Sequence, residues 1–231
     1  MKGLNAGLVL AGGMGARLSG SGRPKQFVEV GGKPLIMHCL QAFEQCPGID
    51  LVCIVAAEEW RHMLGDYIYA APGKSRQHSI YNGLLALERR NPARVVIHDA
   101  ARPLVTVEDI ADVIRASLGH DGATPVLAVT DTMYRSIDGE TISEALTRDE
   151  LFAGQTPECY AFLKYLRIHK QASDEELSSV RGSSEIAVRH GLRIAICKGN
   201  PGNFKVTTAA DLEHFKLLLP AICTKRQKDC H

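Results

Sequence analysis

Residues 8–25 read L-V-L-A-G-G-M-G-A-R-L-S-G-S-G-R-P-K, and this stretch indicates how the rest of the chain is arranged. An apolar run at residues 6–10 predicts a buried strand, which ends in a glycine-rich turn. The glycines of that turn are Gly12, Gly13 and Gly15. Glycine tolerates φ > 0 and lets backbone N–H groups come close to a bound group, and successive N–H groups form an anion-binding hollow. Two cations, Arg17 and Lys25, follow, so the stretch predicts a polyphosphate-binding loop.

The same glycines also fit a tight strand-to-helix connection that binds nothing. The segment lacks the Gly-Lys-Ser/Thr ending of a Walker loop, and its glycine spacing differs from that of the dinucleotide fingerprint. The run Arg23-Pro24-Lys25-Gln26, together with Arg17, adds fixed positive charge beside the turn. This added charge favours the phosphate-binding interpretation.

Composition limits the class of protein. The chain has 231 residues, of which 45% are hydrophobic and 23% charged, and a net charge of +1. This length predicts a single domain over residues 1–222 with its own core, and the near-neutral charge argues against a nucleic-acid partner. No apolar run reaches the roughly 18 residues of a membrane span, and no leader is expected. Seven cysteines without C-x-x-C spacing predict reduced thiols and a cytoplasmic location.

Buried apolar runs alternate with amphipathic segments along the chain. The strand-like runs are residues 6–10, 51–57, 94–97, 123–129 and 194–197, and the helix-like segments are residues 35–43, 80–87, 107–117 and 209–219. This alternation predicts an α/β fold, a Rossmann-like and mostly parallel twisted sheet with helices on both faces. A frayed tail is expected from residue 223 to residue 231.

Residues 131–155 interrupt this alternation. They are polar, and two short β-like runs flank Asp138-Gly139, which is a hairpin signal. The segment therefore predicts an extended β-hairpin arm. Such an arm has no place in a parallel core, so it serves as a lid, as a dimerisation arm or as an excursion without function.

A polar loop at residues 73–79 is a candidate ligand-binding element, because ligands of open α/β sheets lie beyond the carboxyl ends of the strands. Ser79 can hydrogen-bond a base or a ribose, and it can also cap the helix that follows. Arg76 can orient the loop or contact a phosphate.

The segment His98-Asp99-Ala100-Ala101-Arg102-Pro103 places a carboxylate at the end of a predicted strand. Mg²⁺ prefers such oxygen ligands together with phosphate oxygens, so Asp99 is a candidate metal ligand. The alternative is that Asp99 caps the next turn or pairs with Arg102. His98 has no nucleophile to activate, and we expect a structural role for it.

Two further cations are candidates. Lys205 follows a Gly/Asn-rich turn and precedes Thr207-Thr208, where a plain surface lysine is the alternative. Arg148 lies beyond the predicted hairpin, and its planar guanidinium suits a phosphate dianion. A solvated charge is the alternative for an arginine on an exposed arm.

Taken together, these segments resemble the 2-C-methyl-D-erythritol 4-phosphate cytidylyltransferase family. The resemblance covers residues 4–218 and rests on six elements in the family's order. The most specific are A-G-G-x-G-x-R with P-K-Q, G-x-x-R-x-x-S at residues 73–79, H-D-A-A-R-P at residues 98–103, and N-x-K-x-T at residues 203–207. It implies transfer of a cytidylyl group from CTP to an alcohol phosphate with release of pyrophosphate, as a step of non-mevalonate isoprenoid synthesis.

The resemblance also implies roles for individual residues. Arg17, Lys25 and Lys205 would stabilise the charge of the reaction, and Asp99 would hold Mg²⁺. The nucleotide-binding set would be Ala11, Gly12, Gly13, Gly15, Gly73, Arg76, Ser79 and Ala100. Asp99, Thr132 and Arg148 would bind the acceptor, with Arg148 supplied by the partner of a homodimer that exchanges arms.

The sequence departs from the family pattern in three places. Residues 181–184 read R-G-S-S where the family has T-D-D/E-A, Tyr134 replaces a lysine, and Glu158 ends the Q-T-P-Q element. These changes lie toward the acceptor side, so the resemblance defines the nucleotide better than the acceptor. Methylerythritol phosphate is the expected acceptor, and Ala100-Ala101 favours it.

Two other functions remain open, a ribitol-5-phosphate cytidylyltransferase and a non-catalytic nucleotide-binding subunit. The retained cations and Asp99 argue against the latter, because a degenerate site is expected to lose such charges first.

Overall fold

The computed structural model describes residues 3–13 and 23–228, with side chains up to residue 219. Gly15 and Arg17 lie outside the described residues. The strands are β1 (Asn5–Leu10), β2 (Glu29–Val30), β3 (Lys33–Pro34), β4 (Leu51–Val55), β5 (Ile68–Ala70), β6 (Arg94–Asp99), β7 (Gly122–Ala128), β8 (Tyr134–Arg135), β9 (Glu144–Ala145), β10 (Phe152–Gly154), β11 (Glu158–Ala161) and β12 (Ile194–Lys198). The α-helices are α1 (Leu35–Gln45), α2 (Arg76–Leu87), α3 (Val107–Ala116), α4 (Phe162–Gln171), α5 (Asp174–Ser179), α6 (Ser183–Arg189) and α7 (Ala209–Lys228).

Eight of the strands form one sheet in the order β10-β7-β11-β6-β1-β4-β5, with β12 also paired to β7. The pairs β1–β4, β1–β6, β4–β5 and β7–β12 are parallel, whereas β11 and β10 run antiparallel to their neighbours. The predicted α/β fold with a mostly parallel sheet is confirmed. Leu10 lies opposite both Val55 and Asp99, so the carboxyl ends of β1, β4 and β6 meet at one edge.

Helices cover both faces of this sheet, because side chains alternate between the faces along each strand. Leu8 is buried with Ile80 of α2 and Phe162 of α4, whereas its neighbour Val9 is buried with Leu40 of α1 and Ile110 of α3. Burial on both faces explains why the central strands are continuous apolar runs in the sequence.

The β8–β9 hairpin confirms the predicted arm, although its turn differs from the prediction. Tyr134 pairs with Ala145 and Arg135 with Glu144, so residues 136–143 form a long loop rather than a two-residue turn at Asp138-Gly139. Asp138 stabilises this loop by accepting hydrogen bonds from the backbone N–H groups of residues 140 and 141. Asp138-Gly139 therefore marks the position of the loop but not its length.

Several elements were not predicted from the sequence. They are β5, β10, β11 and the three helices α4, α5 and α6. The missed strands have only three or four residues, and α5 and α6 have six and seven, so their apolar patterns are too short to detect. Their position depends on contacts with the rest of the sheet.

The last helix, α7, packs beside the β2–β3 hairpin through a small cluster that includes Val30, Leu35 and Phe215. We expected a frayed tail from residue 223, but α7 continues to Lys228, and residues 229–231 lie outside the described part. Among the described residues, no helix is both long and apolar enough to cross a membrane.

Candidate active site

The glycine turn after β1 is fastened to the segment that carries Lys25. A short 3₁₀ turn spans Lys25–Phe27, and Gln26 within it is buried. The Nε2 atom of Gln26 donates to the carbonyl oxygens of Ala11 (2.5 Å) and Gly13 (2.9 Å). These bonds bring Lys25 next to the glycine turn, as the phosphate-binding interpretation requires. Sequence reasoning missed this role of Gln26, although its signal was present in the P-K-Q run.

Gly12 is required by a close approach rather than by its backbone angles. Of the two abilities of glycine that the sequence suggested, Gly12 and Gly13 do not use the first, since neither has a positive φ. A Cβ atom on Gly12 would lie 2.5 Å from the Cβ atom of Pro72, which precedes the Gly73 loop. The absence of a side chain at Gly12 therefore lets the two predicted nucleotide-binding loops touch.

The loop after β5 turns into α2 earlier than predicted. Ser75 is the N-cap and accepts a hydrogen bond from the His78 backbone N–H, so the alternative that Ser79 caps the helix is wrong. Ser79 lies in the first turn of α2, where its hydroxyl donates to the Ser75 carbonyl and accepts from the Gly73 N–H, both at 3.0 Å. Ser79 thus holds the loop closed from inside the helix.

Three charged side chains that are distant in the sequence meet at Asp99. The Oδ1 atom of Asp99 accepts hydrogen bonds from Nε (3.1 Å) and Nη2 (3.0 Å) of Arg76, and its Oδ2 atom accepts one from Nζ of Lys205 (2.7 Å). The Asp99 side chain is only 13% exposed. Its side chain therefore bonds to Arg76 and Lys205, whereas Arg102 donates from Nη1 to the Asn203 carbonyl at 2.7 Å.

This cluster keeps Asp99 ionised. Burial alone would raise the pKa of Asp99, but Arg76 and Lys205 together hold that pKa far below its usual range. The pKa of Arg76 is raised despite its burial, because Asp99 and Glu158 lie close to it. Both charges are therefore present at any physiological pH, which suits electrostatic stabilisation rather than proton transfer.

A buried hydrogen-bond network holds the backbone of Asp99 in place. The Thr156 hydroxyl oxygen accepts a hydrogen bond from the Asp99 backbone N–H at 3.1 Å and lies 3.2 Å from Nδ1 of His98. The other ring nitrogen, Nε2, lies 3.0 Å from the Arg102 carbonyl, so it carries the proton and donates. Burial lowers the pKa of His98 to about 4, so the ring is neutral. His98 has the structural role that the sequence predicted.

Hydrogen bonds also fix the segment that carries Lys205. Gln155 exchanges two hydrogen bonds of 3.0 Å with Asn200, and Asn203 donates from Nδ2 to the Thr156 carbonyl at 2.8 Å. The Val206 N–H donates to the Ala101 carbonyl at 2.8 Å. Sequence reasoning assigned no role to Gln155 or Thr156, although both stand in the Q-T-P run.

The predicted acceptor-binding residues of the arm are Thr132 and Arg148. Thr132 and Arg148 are exposed, and Nη1 of Arg148 donates to the Thr130 carbonyl at 3.2 Å. Within the described residues, no hydrogen bond or ion pair joins either side chain to the Asp99 cluster. Asp99, Arg76 and Lys205 are thus assembled within one chain, whereas Thr132 and Arg148 are not part of that assembly.

Asp99 is the carboxylate that the sequence predicted as a metal ligand. In the described part of the chain, no three His, Cys, Asp or Glu side chains converge as a complete metal site. Asp99 offers hard oxygen donors, and Mg²⁺ commonly takes one or two carboxylates plus phosphate oxygens and water. The donor set fits Mg²⁺ only as a partial site that substrate phosphates complete.

Comparison with known proteins identifies the family. Residues 6–220 match the family described as IspD, 2-C-methyl-D-erythritol 4-phosphate cytidylyltransferase. The chain belongs to the IspD family. It is therefore an enzyme of the nucleotidyltransferase class, a cytidylyltransferase.

Relatives within the IspD family carry two activities in their names. A 2-C-methyl-D-erythritol 4-phosphate cytidylyltransferase of Halalkalibacterium halodurans is 32% identical and spans 96% of this chain and 97% of its own. A ribitol-5-phosphate cytidylyltransferase of Streptococcus agalactiae serotype Ia is 30% identical and spans 94% and 96%. A crystal structure of the 4-diphosphocytidyl-2C-methyl-D-erythritol synthase of Anaerococcus prevotii superposes with a TM-score of 0.82 over 95% of this chain and 97% of that chain. Its sequence identity is 20%, so it supports the IspD fold alone.

Proposed function

We propose that this enzyme transfers the cytidylyl group of CTP to 2-C-methyl-D-erythritol 4-phosphate and releases pyrophosphate. The observation that carries the proposal is the ionised Asp99 held between Arg76 and Lys205 at the carboxyl edge of the sheet. The glycine turn and Lys25 lie at the same edge. A polyanionic substrate thereby meets fixed cations, and an acceptor hydroxyl meets a fixed carboxylate.

In this reaction the protein positions the two substrates and stabilises negative charge, and it forms no covalent intermediate with them. An acceptor phosphate oxygen attacks the α-phosphorus of CTP, the bond to the β-phosphate bridging oxygen breaks, and pyrophosphate leaves with that electron pair. Negative charge grows on the transferring and leaving groups, and preorganised cations stabilise such charge. Lys25 and Lys205 take this role, with Arg17 from the part of the chain outside the described residues.

The nucleotide side consists of the two loops that touch at Gly12. Backbone groups of Ala11, Gly12 and Gly13 would face the phosphates, and Gly15 would complete that turn. The loop at residues 73–79 would surround the cytosine, with Gly73 and Ser79 holding its shape and Arg76 linking it to Asp99. The Ala100 N–H donates to the Leu10 carbonyl, so Ala100 would act by its small size.

Magnesium would be shared between the enzyme and CTP. Asp99 would supply the protein oxygen, and the triphosphate and water the remaining ligands. When bound, Mg²⁺ would neutralise phosphate charge.

The arm would complete the site of a second subunit in a homodimer. It exposes Met133, Tyr134 and Ile137, the last to 90%, and such apolar exposure marks an interaction surface. Arg148 at its base would then bind the acceptor phosphate of the partner's site, and Thr132 an acceptor hydroxyl. A mixture of Arg148→Ala and Lys25→Ala chains should recover part of the activity, since one site of each mixed dimer regains both groups. Failure to recover after demonstrated subunit exchange would contradict the arm exchange.

The acceptor decides between the two activities named among the relatives. With CTP and Mg²⁺, we expect faster pyrophosphate release with methylerythritol 4-phosphate than with ribitol 5-phosphate at equal concentrations. Both acceptors offer the same phosphate to Arg148, so discrimination must come from the hydroxyl pattern read by Asp99 and Thr132. A site that hydrogen-bonds one hydroxyl rejects an analogue without it by about 10⁴.

The outcomes separate the candidates. A preference for ribitol 5-phosphate would assign the enzyme to the alternative acceptor and leave the nucleotide site unchanged. CTP binding without turnover of any acceptor would favour a non-catalytic subunit. Cys53, Cys159 and Cys197 are free thiols, which supports the proposed cytoplasmic location.

A further inference from the structure

Glu158 is a buried carboxylate that the mechanism above does not use. It is the first residue of β11 and is only 6% exposed. Its Oε1 atom accepts hydrogen bonds from the hydroxyls of Ser184 (2.7 Å), Tyr160 (3.0 Å) and Thr124 (3.3 Å). Three hydroxyl donors around one oxygen fit a buried negative charge, because such a charge must be satisfied by hydrogen bonds.

Two of the departures from the family pattern contact each other at this point. Glu158 stands where the pattern has a neutral glutamine, and the residue that donates to it, Ser184, belongs to the R-G-S-S segment where the pattern has acidic residues. The neighbouring Ser183 accepts a hydrogen bond of 2.6 Å from Nη1 of Arg76. Residues 181–184 thus lack the negative charge of the family pattern, whereas Glu158 carries a negative charge that the pattern does not have.

The path from Glu158 to the site is short. Arg76 uses Nε and Nη2 for Asp99 and Nη1 for Ser183, so its guanidinium is held from two sides. Ser183 is fixed in turn, because the Tyr165 hydroxyl donates to its carbonyl at 3.1 Å. Ser184, the next residue of α6, connects this segment to Glu158. Movement at the start of α6 would therefore move the Nη1 side of Arg76.

A second carboxylate acts on the arginines near Asp99. Arg76 and Lys205 form ion pairs with Asp99, and Arg102 is attracted to it as well. Asp99 and Glu158 raise the pKa of Arg76 despite its burial, whereas burial holds the pKa of Arg102 below its usual value in spite of the same two carboxylates.

We infer that Glu158 is a positioning residue that fixes Arg76 against Asp99 through the start of α6. It supplies from β11 the negative charge that the family pattern places in residues 181–184. The inference rests on the cytidylyltransferase activity but not on the identity of the acceptor.

A double-mutant cycle tests this relation. Glu158→Gln installs the residue of the family pattern and keeps an oxygen that accepts from Ser184, so the fold should be preserved. Ser183→Asp places a carboxylate beside Nη1 of Arg76, so the cluster carries one more negative charge than in the wild type while Glu158 remains. We expect each single variant to lower kcat/KM for CTP by about tenfold, and the double variant to return to within about threefold of the wild type, as strongly coupled neighbours do. Glu59→Gln, at an exposed position, is the matched control and should leave kcat/KM unchanged.

The readouts separate positioning from stability and from the choice of acceptor. The CTP dissociation constant, measured by calorimetry without any acceptor, should show the same loss and recovery, even if the proposed acceptor is wrong. The thermal midpoint of Glu158→Gln should stay within a few degrees of the wild type. Additive losses in the double variant, an unchanged kcat/KM and CTP affinity in Glu158→Gln, or losses that follow the thermal midpoint would each overturn the inference.

Discussion

Acidification from pH 7 to pH 4.5 should lower the free energy of unfolding by about 4 kcal/mol. The reason is that two histidines stay buried and neutral in the folded chain at a pH where the unfolded chain protonates them. His98 is fully buried and His169 is 1% exposed. Burial lowers the pKa of each ring from 6.5 to about 4. His98 contacts the Arg102 carbonyl and the Thr156 hydroxyl, and His169 lies 2.9 Å from the Tyr165 carbonyl, so neither ring has room for a hydration shell.

The sign of this change in stability follows from which state, folded or unfolded, binds more protons. Between pH 6.5 and pH 4 the unfolded chain binds a proton at each histidine and the folded chain does not, so stability is fully present above this window and is lost as the pH falls through it. Each shift of about 2.5 pKa units corresponds to about 3 kcal/mol at the acid limit, of which about 2 kcal/mol is lost by pH 4.5. The stabilising contribution of Asp99 is lost mainly below this window, because the unfolded chain protonates that carboxylate near its ordinary pKa of 3.8 while the folded chain does not.

Urea unfolding followed by circular dichroism at half-unit pH steps measures this loss. Near pH 5 the slope should approach about 2.7 kcal/mol per pH unit, the value for two protons. His98→Gln should remove about half of that slope even if the variant is less stable at every pH. His62→Gln, on an exposed 3₁₀ turn, is the control and should leave the slope unchanged. A free energy of unfolding that stays constant from pH 7 to pH 4.5 would refute the reasoning.

Four further substitutions test separate parts of the structure. Lys25→Ala and Lys205→Ala should each lower turnover by about 10²–10³-fold, as the loss of an oxyanion donor does. Initial rates measure the loss, and circular dichroism checks that the variants fold. Near-normal turnover in both variants would contradict the role of these lysines. Gly12→Ala would place a Cβ atom 2.5 Å from that of Pro72, and we expect a loss of about 1–3 kcal/mol in the free energy of unfolding, measured with denaturant. Gly13→Ala is the matched control, because a Cβ atom there meets no atom of the described residues within 4 Å. Thr106→Ala removes the cap of α3, where the Asp109 N–H donates to the Thr106 hydroxyl oxygen at 3.1 Å. Calorimetry should show that the free energy of unfolding falls by about 1 kcal/mol. An unchanged thermal midpoint would exclude a capping contribution.

The sequence by itself determined the parts of this protein that depend on local composition. The central strands β1, β4 and β6 are buried on both faces, so each is a continuous apolar run that can be recognised without its neighbours. The candidate residues could be identified for a similar reason, because Gly12, Asp99 and Lys205 stand in short runs whose residue types indicate phosphate and metal chemistry. The hairpin arm was predicted from its local pattern as well.

Only the tertiary structure decided how these parts meet. The cluster at Asp99 joins residues 23 and 106 positions apart in the chain, and nothing in either segment indicates that its cation pairs with that carboxylate. Ser75 and Ser79 are equally good caps by sequence, and the route of the loop past Pro72 and Gly73 selects Ser75. The partners of Glu158 were hidden for the same reason, because β11 enters the sheet antiparallel between β6 and β7 through pairings that no local pattern encodes. A residue's chemical type is local, whereas its partners are set by the path of the whole chain.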